Sequence, residues 1–292
     1  MPKFISQKFY GQTLMLHIST GRLNFLVERL GSLEKLINSN FGLRLLSSLS
    51  LISVFVYAII YNDSLFLLLM FISSVLALFE LAKMQQLKFL MILFNIFSLI
   101  FLYVLSTYNL QFFIYIIIFL FCFLFPLIPF LKTKEFFLNI ALAFYIPSFF
   151  IALIILIPDH KLIVLFTFLG IWAVDVGGYL FGKSFGKHKI FPITSPKKTY
   201  EGLLGSLVFL SLIQSVSWHF FDIFSLIEFL VISFLISVGS IYGDYFESFL
   251  KRKYHIKDSG NLIPGHGGLL DRLDSAIYTI PLITILCLVI IN

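Results

Sequence analysis

One polar stretch of this chain carries most of the side chains that could do chemistry. Residues 248–274 read SFLKRKYHIKDSGNLIPGHGGLLDRLD, and apolar runs long enough to cross a bilayer flank them. Ionisable groups beside membrane segments are costly and are usually retained for function. The stretch therefore predicts an active site at a membrane face.

Acidic and basic residues at helical spacing lead into this stretch. Asp244, Glu247, Ser248, Lys251 and Arg252 stand at i, i+3, i+4, i+7 and i+8, so a helix places all five on one face. Carboxylates at the end of an apolar helix are stabilised by a cation or by basic partners. The pattern predicts either metal ligation or salt bridges within the helix.

A second pair of acids follows a glycine-rich turn. Asp271 and Asp274 are three residues apart at the start of the last apolar segment, after His266, Gly267 and Gly268. Carboxylates without soft ligands nearby favour a hard cation such as Mg²⁺, and glycine amides can approach phosphate oxygens. His266 is interpreted as a hydrogen-bond donor, since no second histidine stands at metal-ligand spacing. The two acids could instead cap a helix N terminus.

Two further groups lie upstream of the polar stretch. Asp175 is a single acid in an apolar segment, which favours a site residue or a hydrogen bond within the bundle, and the glycines after it could allow close helix packing. The loop SPKKTYEG, residues 195–202, offers Lys197 and Lys198 to phosphate, although lysines are common on the cytoplasmic side of membrane proteins. Carboxylates, ammonium groups and an apolar bundle together predict phosphoryl or nucleotidyl transfer on a lipid.

The composition is that of a membrane protein. The 292 residues are 59% hydrophobic and 12% charged, with a mean hydropathy of +1.00, whereas soluble domains are about 25% charged. Residues 1–42 are mixed, and an amphipathic surface helix is predicted near 22–37. The predicted fold is all-α, with about nine transmembrane helices. Their predicted ranges are 43–61, 64–82, 87–106, 110–131, 136–157, 161–182, 203–219, 227–250 and 275–291.

Basic residues orient these segments. With the N terminus inside, all of the 21 Lys and Arg except Lys161 lie on the cytoplasmic side. We therefore predict a cytoplasmic N terminus, a C terminus outside, and cytoplasmic loops at 183–202 and 251–274. The N-terminal helices, 43–160, precede a catalytic region, 161–292. The net charge of +6 is attributed to insertion and to anionic headgroups, so nucleic acid is not expected as a partner.

The polar stretches resemble the signature of a known family. Residues 248–274, GDYFES at 243–248 and SPKKTYEG at 195–202 are similar to phosphatidate cytidylyltransferases, the CDP-diacylglycerol synthases, and the resemblance covers roughly residues 170–280. It implies a Mg²⁺-dependent, all-helical membrane enzyme, with K⁺ as a candidate second cation. The implied reaction converts CTP and phosphatidate into CDP-diacylglycerol and pyrophosphate. The implied setting is a homodimer in the inner membrane, with its active site facing the cytoplasm.

Matching positions carry roles under this resemblance. The implied metal ligands are Asp244 and Asp271, joined by the candidates Asp274 and Asp175. The implied catalytic residues are Asp244, Asp271, Lys251, Arg252, Lys257 and His266. The implied residues for CTP and phosphate are Ser195, Lys197, Lys198, Lys251, Arg252, Lys257, Gly267, Gly268 and Arg272. Two other interpretations stay open, a CTP-dependent polyprenol or phytol kinase and an ion-coupled membrane transporter.

Overall fold

The structure is a computed structural model in which two compact units are distinguished, Met1–Val54 and Phe55–Asn292. The residues that it describes are 5–9, 12–16, 52–85, 111–130, 135–192, 194–221, 225–260 and 267–291, with the single positions 96, 100, 104 and 262. The segments that carry the candidate site residues, 175–202 and 244–274, therefore belong to the second unit. Their positions depend on the helices of that unit.

A β-hairpin forms part of the first unit. Strand β1, Ile5–Phe9, pairs antiparallel with β2, Gln12–Leu16, and Ile5 lies opposite Leu16. Because only two residues separate the strands, the connection has the length of a tight hairpin turn. The hairpin corrects the all-α prediction locally. The amphipathic helix predicted near 22–37 lies outside the described residues.

The second unit is a bundle of apolar helices. A short apolar helix, Ile52–Tyr61, precedes the long helices in the chain. The long helices are α1 (Asp63–Met84), α2 (Gln111–Leu124, followed by a 3-10 segment at Phe125–Phe130), α3 (Glu135–Phe185), α4 (Tyr200–Phe221), α5 (Leu226–Lys253) and α6 (Leu270–Leu286, followed by a π-helical turn at Cys287–Ile291).

Within the described part of the chain, four helical stretches are long and apolar enough to cross a membrane. They are Asp63–Met84, Leu138–Phe185, Leu226–Lys253 and Leu270–Val289. The chain is thus a mostly helical membrane protein, as its composition predicts. The count of nine spans and the orientation of the termini stay predictions, and most of the segment 87–106 lies outside the described residues.

Two predicted spans, 136–157 and 161–182, are consecutive parts of α3. The helix is kinked at His160, whose φ of −129° and ψ of 31° are not helical, and Pro158 precedes the kink. Proline removes a backbone donor and clashes with the preceding turn, which bends a helix. The predicted break is therefore at the right place, but the chain continues as helix rather than as a loop.

The helices pack so that their loop-bearing ends lie together. Helix α3 runs along α4, and α5 runs along α6, while α6 also contacts α3. A Cβ on Gly177 of α3 would collide with the carbonyl oxygen of Gly205 on α4, so these glycines permit close helix packing. The Tyr145 ring of α3 meets the Phe246 ring of α5 at 5.4 Å between centroids, and both side chains are fully buried.

Helix α1 runs between two ends of this bundle. At its start Asp63 forms an ion pair with Lys161, beside the kink of α3, at 3.6 Å. Near its end Glu80 contacts the segment that precedes α6. The two acids are 17 positions apart, about 25 Å along a helix. We call the region around the kink the kink end, and the region of residues 183–192, 194–202, 254–260 and 267–269 the loop end.

Candidate active site

A small hairpin lies at the loop end, within the predicted cytoplasmic loop 183–202. Strand β3, Lys189–Phe191, pairs antiparallel with β4, Ser195–Thr199. The Phe191 ring stacks against Tyr245 of α5 with 4.4 Å between centroids. This hairpin is a second local departure from the all-α prediction, and it fixes the SPKKT sequence beside α5.

Glu201, in the first turn of α4, holds the chain that enters this hairpin. Its carboxylate meets Nδ1 of His188 at 2.7 Å and accepts the backbone N–H groups of Lys187 at 3.0 Å and His188 at 3.2 Å. The contact with the His188 ring, together with the backbone hydrogen bonds, lowers the pKa of Glu201 to about 2. Glu201 therefore remains ionised at physiological pH and keeps the hairpin closed against α4.

The two lysines of the hairpin face different surroundings. Lys198 forms an ion pair with Asp244 of α5, whereas Lys197 is exposed. This difference follows from the strand, because successive side chains point to opposite faces. Lys198 is thereby delivered to the acids of α5 from a segment more than 40 residues earlier, while Ser195 occupies the start of β4.

Three carboxylates come together between α5 and α6. Oxygens of Asp244, Glu247 and Asp274 all lie within 4.8 Å of one another, and we call these three residues the acid cluster. The two helices approach closely here, since a Cβ on Gly243 would lie 2.5 Å from the Asp274 carbonyl oxygen. Glycine at that position therefore brings Asp274 beside Asp244.

Asp271 lies next to the acid cluster, shares Lys251 with it and in addition binds the loop. Lys251 Nζ bridges Glu247 at 2.6 Å and Asp271 at 2.8 Å. Asp271 Oδ2 also accepts the backbone N–H groups of Ser259 at 3.1 Å and Gly268 at 3.0 Å. The two predicted principal ligands therefore have different surroundings. Asp244 belongs to the acid cluster, whereas Asp271 is bound by the loop.

Glu247 lies on the predicted acidic face of the helix, but it is not among the metal ligands that the family resemblance implies. It is fully buried, and within the described part of the chain its Oε1 has no hydrogen-bond partner. A buried carboxylate oxygen is costly unless a donor or a cation compensates it. Three carboxylates with one such oxygen fit a hard divalent cation, which prefers oxygen ligands.

The remaining candidate residues surround this centre unequally. Asp175 has an exposed side chain and lies within electrostatic reach of Asp244, Lys198 and Arg272, and Asp274 lies within reach of Asp175. These electrostatic interactions link Asp175 of α3 to the acids of α5 and α6. The structure therefore brings all three helices to one site.

Four basic or glycine candidates lie around the margin of the site. Arg252 is exposed and donates to the carbonyl oxygen of Ile256 at 3.4 Å, and Lys257 is exposed. Gly267 has a positive φ of 85°, which glycine adopts without strain. The N–H of Gly268 donates to Asp271 rather than to an open surface. His266 lies outside the described residues.

One residue of the site was missed by sequence reasoning. Glu80 on α1 is only 7% exposed, and it accepts hydrogen bonds from Ser259 and from the backbone at the start of α6. The hydrophobic pattern alone places it inside the predicted span 64–82. The signal that singled out Asp175, a lone acid inside an apolar segment, applies equally to Glu80.

The geometry of the site defines a class of protein. It is a helical membrane protein with carboxylates and lysines from separate segments gathered at one end, an arrangement suited to binding a metal-complexed polyphosphate. Comparison with known proteins agrees with this class. The chain matches the model of the cytidylyltransferase family over residues 42–290, and it belongs to that family.

The most similar curated proteins include three staphylococcal relatives. The phosphatidate cytidylyltransferase of Staphylococcus saprophyticus is 44% identical over 124 residues, which are 42% of this chain and 48% of that protein. That of Staphylococcus haemolyticus is 44% identical over 125 residues, and that of Staphylococcus epidermidis is 42% identical over 124 residues, with the same shares. The match thus spans about half the length of these relatives. The family membership implied by the sequence signature is confirmed.

Proposed function

We propose that this chain transfers CMP from CTP to phosphatidate, which yields CDP-diacylglycerol and pyrophosphate. The observation that carries the proposal is the convergence of the acid cluster with Lys198 and Lys251, which come from different sides of the site. The names of the staphylococcal relatives support the choice of CTP and phosphatidate. The apolar surface of the bundle supports a lipid as one of the substrates.

The reaction needs little acid or base catalysis. A phosphate oxygen of phosphatidate attacks the α-phosphorus of CTP, a new P–O bond forms, and the bond from the α-phosphorus to the bridging oxygen breaks as pyrophosphate leaves. Because a phosphomonoester is already ionised near neutral pH, no strong base has to remove a proton. The protein therefore acts mainly by positioning the two phosphates and by compensating their charge.

Two groups of residues divide this work. The acid cluster would hold Mg²⁺, with Asp175 at its margin, and bound Mg²⁺ would offset the negative charge of the nucleotide phosphates. Lys198 and Lys251 are largely buried and pair with carboxylates, and they would neutralise phosphate oxygens that approach the same carboxylates. Arg272, in the first turn of α6, would add a cation on the side of Asp175. A role for K⁺ beside Mg²⁺ stays a prediction.

The same proposal includes the setting of the enzyme. The distribution of basic residues favours an active site on the cytoplasmic face of the membrane. Exposed apolar side chains on α4, among them Leu204, Leu207 and Val208, start one turn after the hairpin and would contact lipid chains beside the site. A homodimer remains part of the prediction from the family resemblance.

The decisive experiment uses purified protein in detergent micelles that contain phosphatidate and Mg²⁺. CTP labelled at the α-phosphorus should transfer its label to lipid, and CTP labelled at the γ-phosphorus should release its label as pyrophosphate. Label from the γ-position in lipid would instead identify a kinase. Failure of both labels to reach lipid would reject the proposed transfer. Omission of phosphatidate is the matched control, since it removes only the acceptor.

A further inference from the structure

Glu80 is a buried acid that the proposed chemistry does not use. Its Oε1 accepts the backbone N–H of Leu269 at 3.0 Å. Its Oε2 accepts the N–H of Leu270 at 2.8 Å and the hydroxyl of Ser259 at 3.2 Å. One carboxylate on α1 therefore holds two separate parts of the polar stretch 248–274, from a position about 180 residues earlier in the chain.

Two glycines of the polar stretch lie too close to this carboxylate to carry a side chain. A Cβ on Gly268 would lie 2.7 Å from Glu80 Oε2, and a Cβ on Gly260 would lie 2.8 Å from Glu80 Cδ. Either distance is shorter than real Cβ contacts allow. A Cβ on Gly268 would also collide with the Ser259 hydroxyl oxygen and the backbone nitrogen of Gly260, so the loop itself as well as Glu80 requires glycine there. Two glycines of the sequence motif thus serve a close approach to α1 rather than only an approach to phosphate.

The same carboxylate completes the start of α6. Leu269 is the N-cap residue of α6. Its own apolar side chain forms no capping hydrogen bond. The first N–H groups of a helix lack partners within the helix, and they favour negative charge. Glu80 supplies that acceptor from another helix, so the position of α6 depends on α1.

Glu80 and Asp271 both bind Ser259 and the residues at the start of α6. Asp271 accepts the backbone N–H groups of Ser259 and Gly268, and Glu80 accepts the Ser259 hydroxyl and the next N–H groups along the chain. Asp274, one turn further along α6, belongs to the acid cluster. A shift at the start of α6 would therefore move Asp271 and Asp274 together relative to α5.

We propose that Glu80 is a positioning residue for the transfer reaction, which fixes the start of α6 so that Asp271 and Asp274 face α5. The inference rests on the proposed function. It assigns an active-site task to the first part of the chain, because α1 lies outside the region, roughly residues 170–280, that carries the sequence signature. Glu80 does not touch substrate and acts through the backbone of residues 259–270.

The test variant is Glu80→Gln, which has nearly the same shape. A glutamine offers one acceptor oxygen, and its NH₂ group would face a backbone N–H, so at least one donor is left without a partner. The matched control is Asp63→Asn, which alters an acid of the same helix at the kink end, where the ion pair is exposed. Both proteins are purified in the same detergent, and their melting temperatures are recorded.

Two readouts are compared. Hydrogen exchange at the amides of Leu269 and Leu270 should become at least about tenfold faster in Glu80→Gln, as expected when a buried hydrogen bond is lost. Its kcat should fall by about 10- to 100-fold, the range seen when a supporting residue is removed from a site, while KM for phosphatidate stays within about threefold. Asp63→Asn should match the wild-type protein in both readouts.

Wild-type exchange rates, or a kcat within threefold of wild type, in folded Glu80→Gln would overturn the proposal. If Glu80→Gln does not accumulate as folded protein, Ser259→Ala removes one donor only and should raise amide exchange at Leu270 by about threefold. Unchanged exchange in Ser259→Ala would then reject the role of Glu80. The exchange measurement needs no substrate, so absence of transferase activity in the wild-type protein would reject the proposed function without deciding the role of Glu80 in holding α6.

Discussion

Two sets of carboxylates at the loop end are bound in contrasting ways. Glu80 and Asp271, which we call the loop anchors, accept hydrogen bonds from backbone N–H groups of residues 259–270. In the acid cluster, in contrast, Asp244 pairs with Lys198 and Glu247 pairs with Lys251. Lys251 also reaches Asp271, and Asp274 accepts the backbone N–H of Ser275 at 2.6 Å, so the contrast is one of degree. Within the described residues, Glu247 Oε1 has no hydrogen-bond partner.

The contrast shows how one region can be both rigid and ready for a ligand. Backbone N–H groups cannot be withdrawn without unfolding the turn, so the loop anchors are committed to structure. Lysine side chains are flexible and can move from a carboxylate to a phosphate. Carboxylates compensated in this second way keep the capacity to bind a cation, and they are therefore the better candidates for ligands.

The largest effect is expected from Asp244→Asn in the acid cluster. The change removes a candidate ligand charge and the partner of Lys198, and we expect kcat to fall by about 10²- to 10³-fold. Label transfer from CTP to lipid measures the rate, and gel filtration checks the folded state. A rate within tenfold of wild type would place Asp244 outside the reacting centre, and the contrast between the two sets would lose its main support.

Glu247→Gln tests whether the buried oxygen serves a cation. The substitution keeps the shape but lowers the charge of the acid cluster, and we expect the Mg²⁺ concentration for half-maximal rate to rise at least about tenfold, within the range for a weakened metal site. A titration of the rate with Mg²⁺ measures this shift. An unchanged Mg²⁺ requirement would show that the salt bridge to Lys251 is the whole role of Glu247.

Asp271→Asn tests whether Asp271 serves as a loop anchor or as a metal ligand. Since Asp271 binds the loop, we expect kcat to fall by about tenfold, at the lower end of the range for supporting residues, with a Mg²⁺ requirement within about threefold of wild type. The same titration is used, with Glu247→Gln as the comparison. A strongly raised Mg²⁺ requirement would return Asp271 to the ligand role that the family resemblance implies.

The sequence predicts the local part of this arrangement well and the long-range part poorly. Helical spacing places Asp244, Glu247 and Lys251 on one face, and the Lys251–Glu247 salt bridge has the expected i,i+4 form. Spacing cannot rank Glu247 against Asp271 as a ligand, because their difference depends on which backbone N–H groups the loop brings to each. The bounds of α1 agree closely with the prediction, 64–82 against Asp63–Met84, whereas α6 begins at Leu270, five residues before the predicted 275.

Partners from distant segments could not be read from periodicity. Lys198 meets Asp244 from a hairpin whose Phe191 ring contacts Tyr245 of α5, and Glu80 meets Leu270 across 190 positions of sequence. A helical pattern says which face of α1 carries Glu80 but not which element covers that face. The short strands β3 and β4 were missed because SPKKT lacks the apolar alternation that marks a strand.

The smallest effect is expected at the kink end, from Lys161→Met. The Asp63–Lys161 ion pair has a length of 3.6 Å and both side chains are 44% exposed, and exposed pairs of this kind contribute about 0–1 kcal/mol. We expect turnover within about twofold of wild type and a melting temperature within about 3 °C. The labelled-CTP assay and a thermal unfolding curve measure the two quantities. A loss of turnover as large as that expected for Glu80→Gln would show that the two ends of α1 are coupled. Carboxylates at the kink end would then also support the reaction, and the contrast could no longer be confined to the loop end.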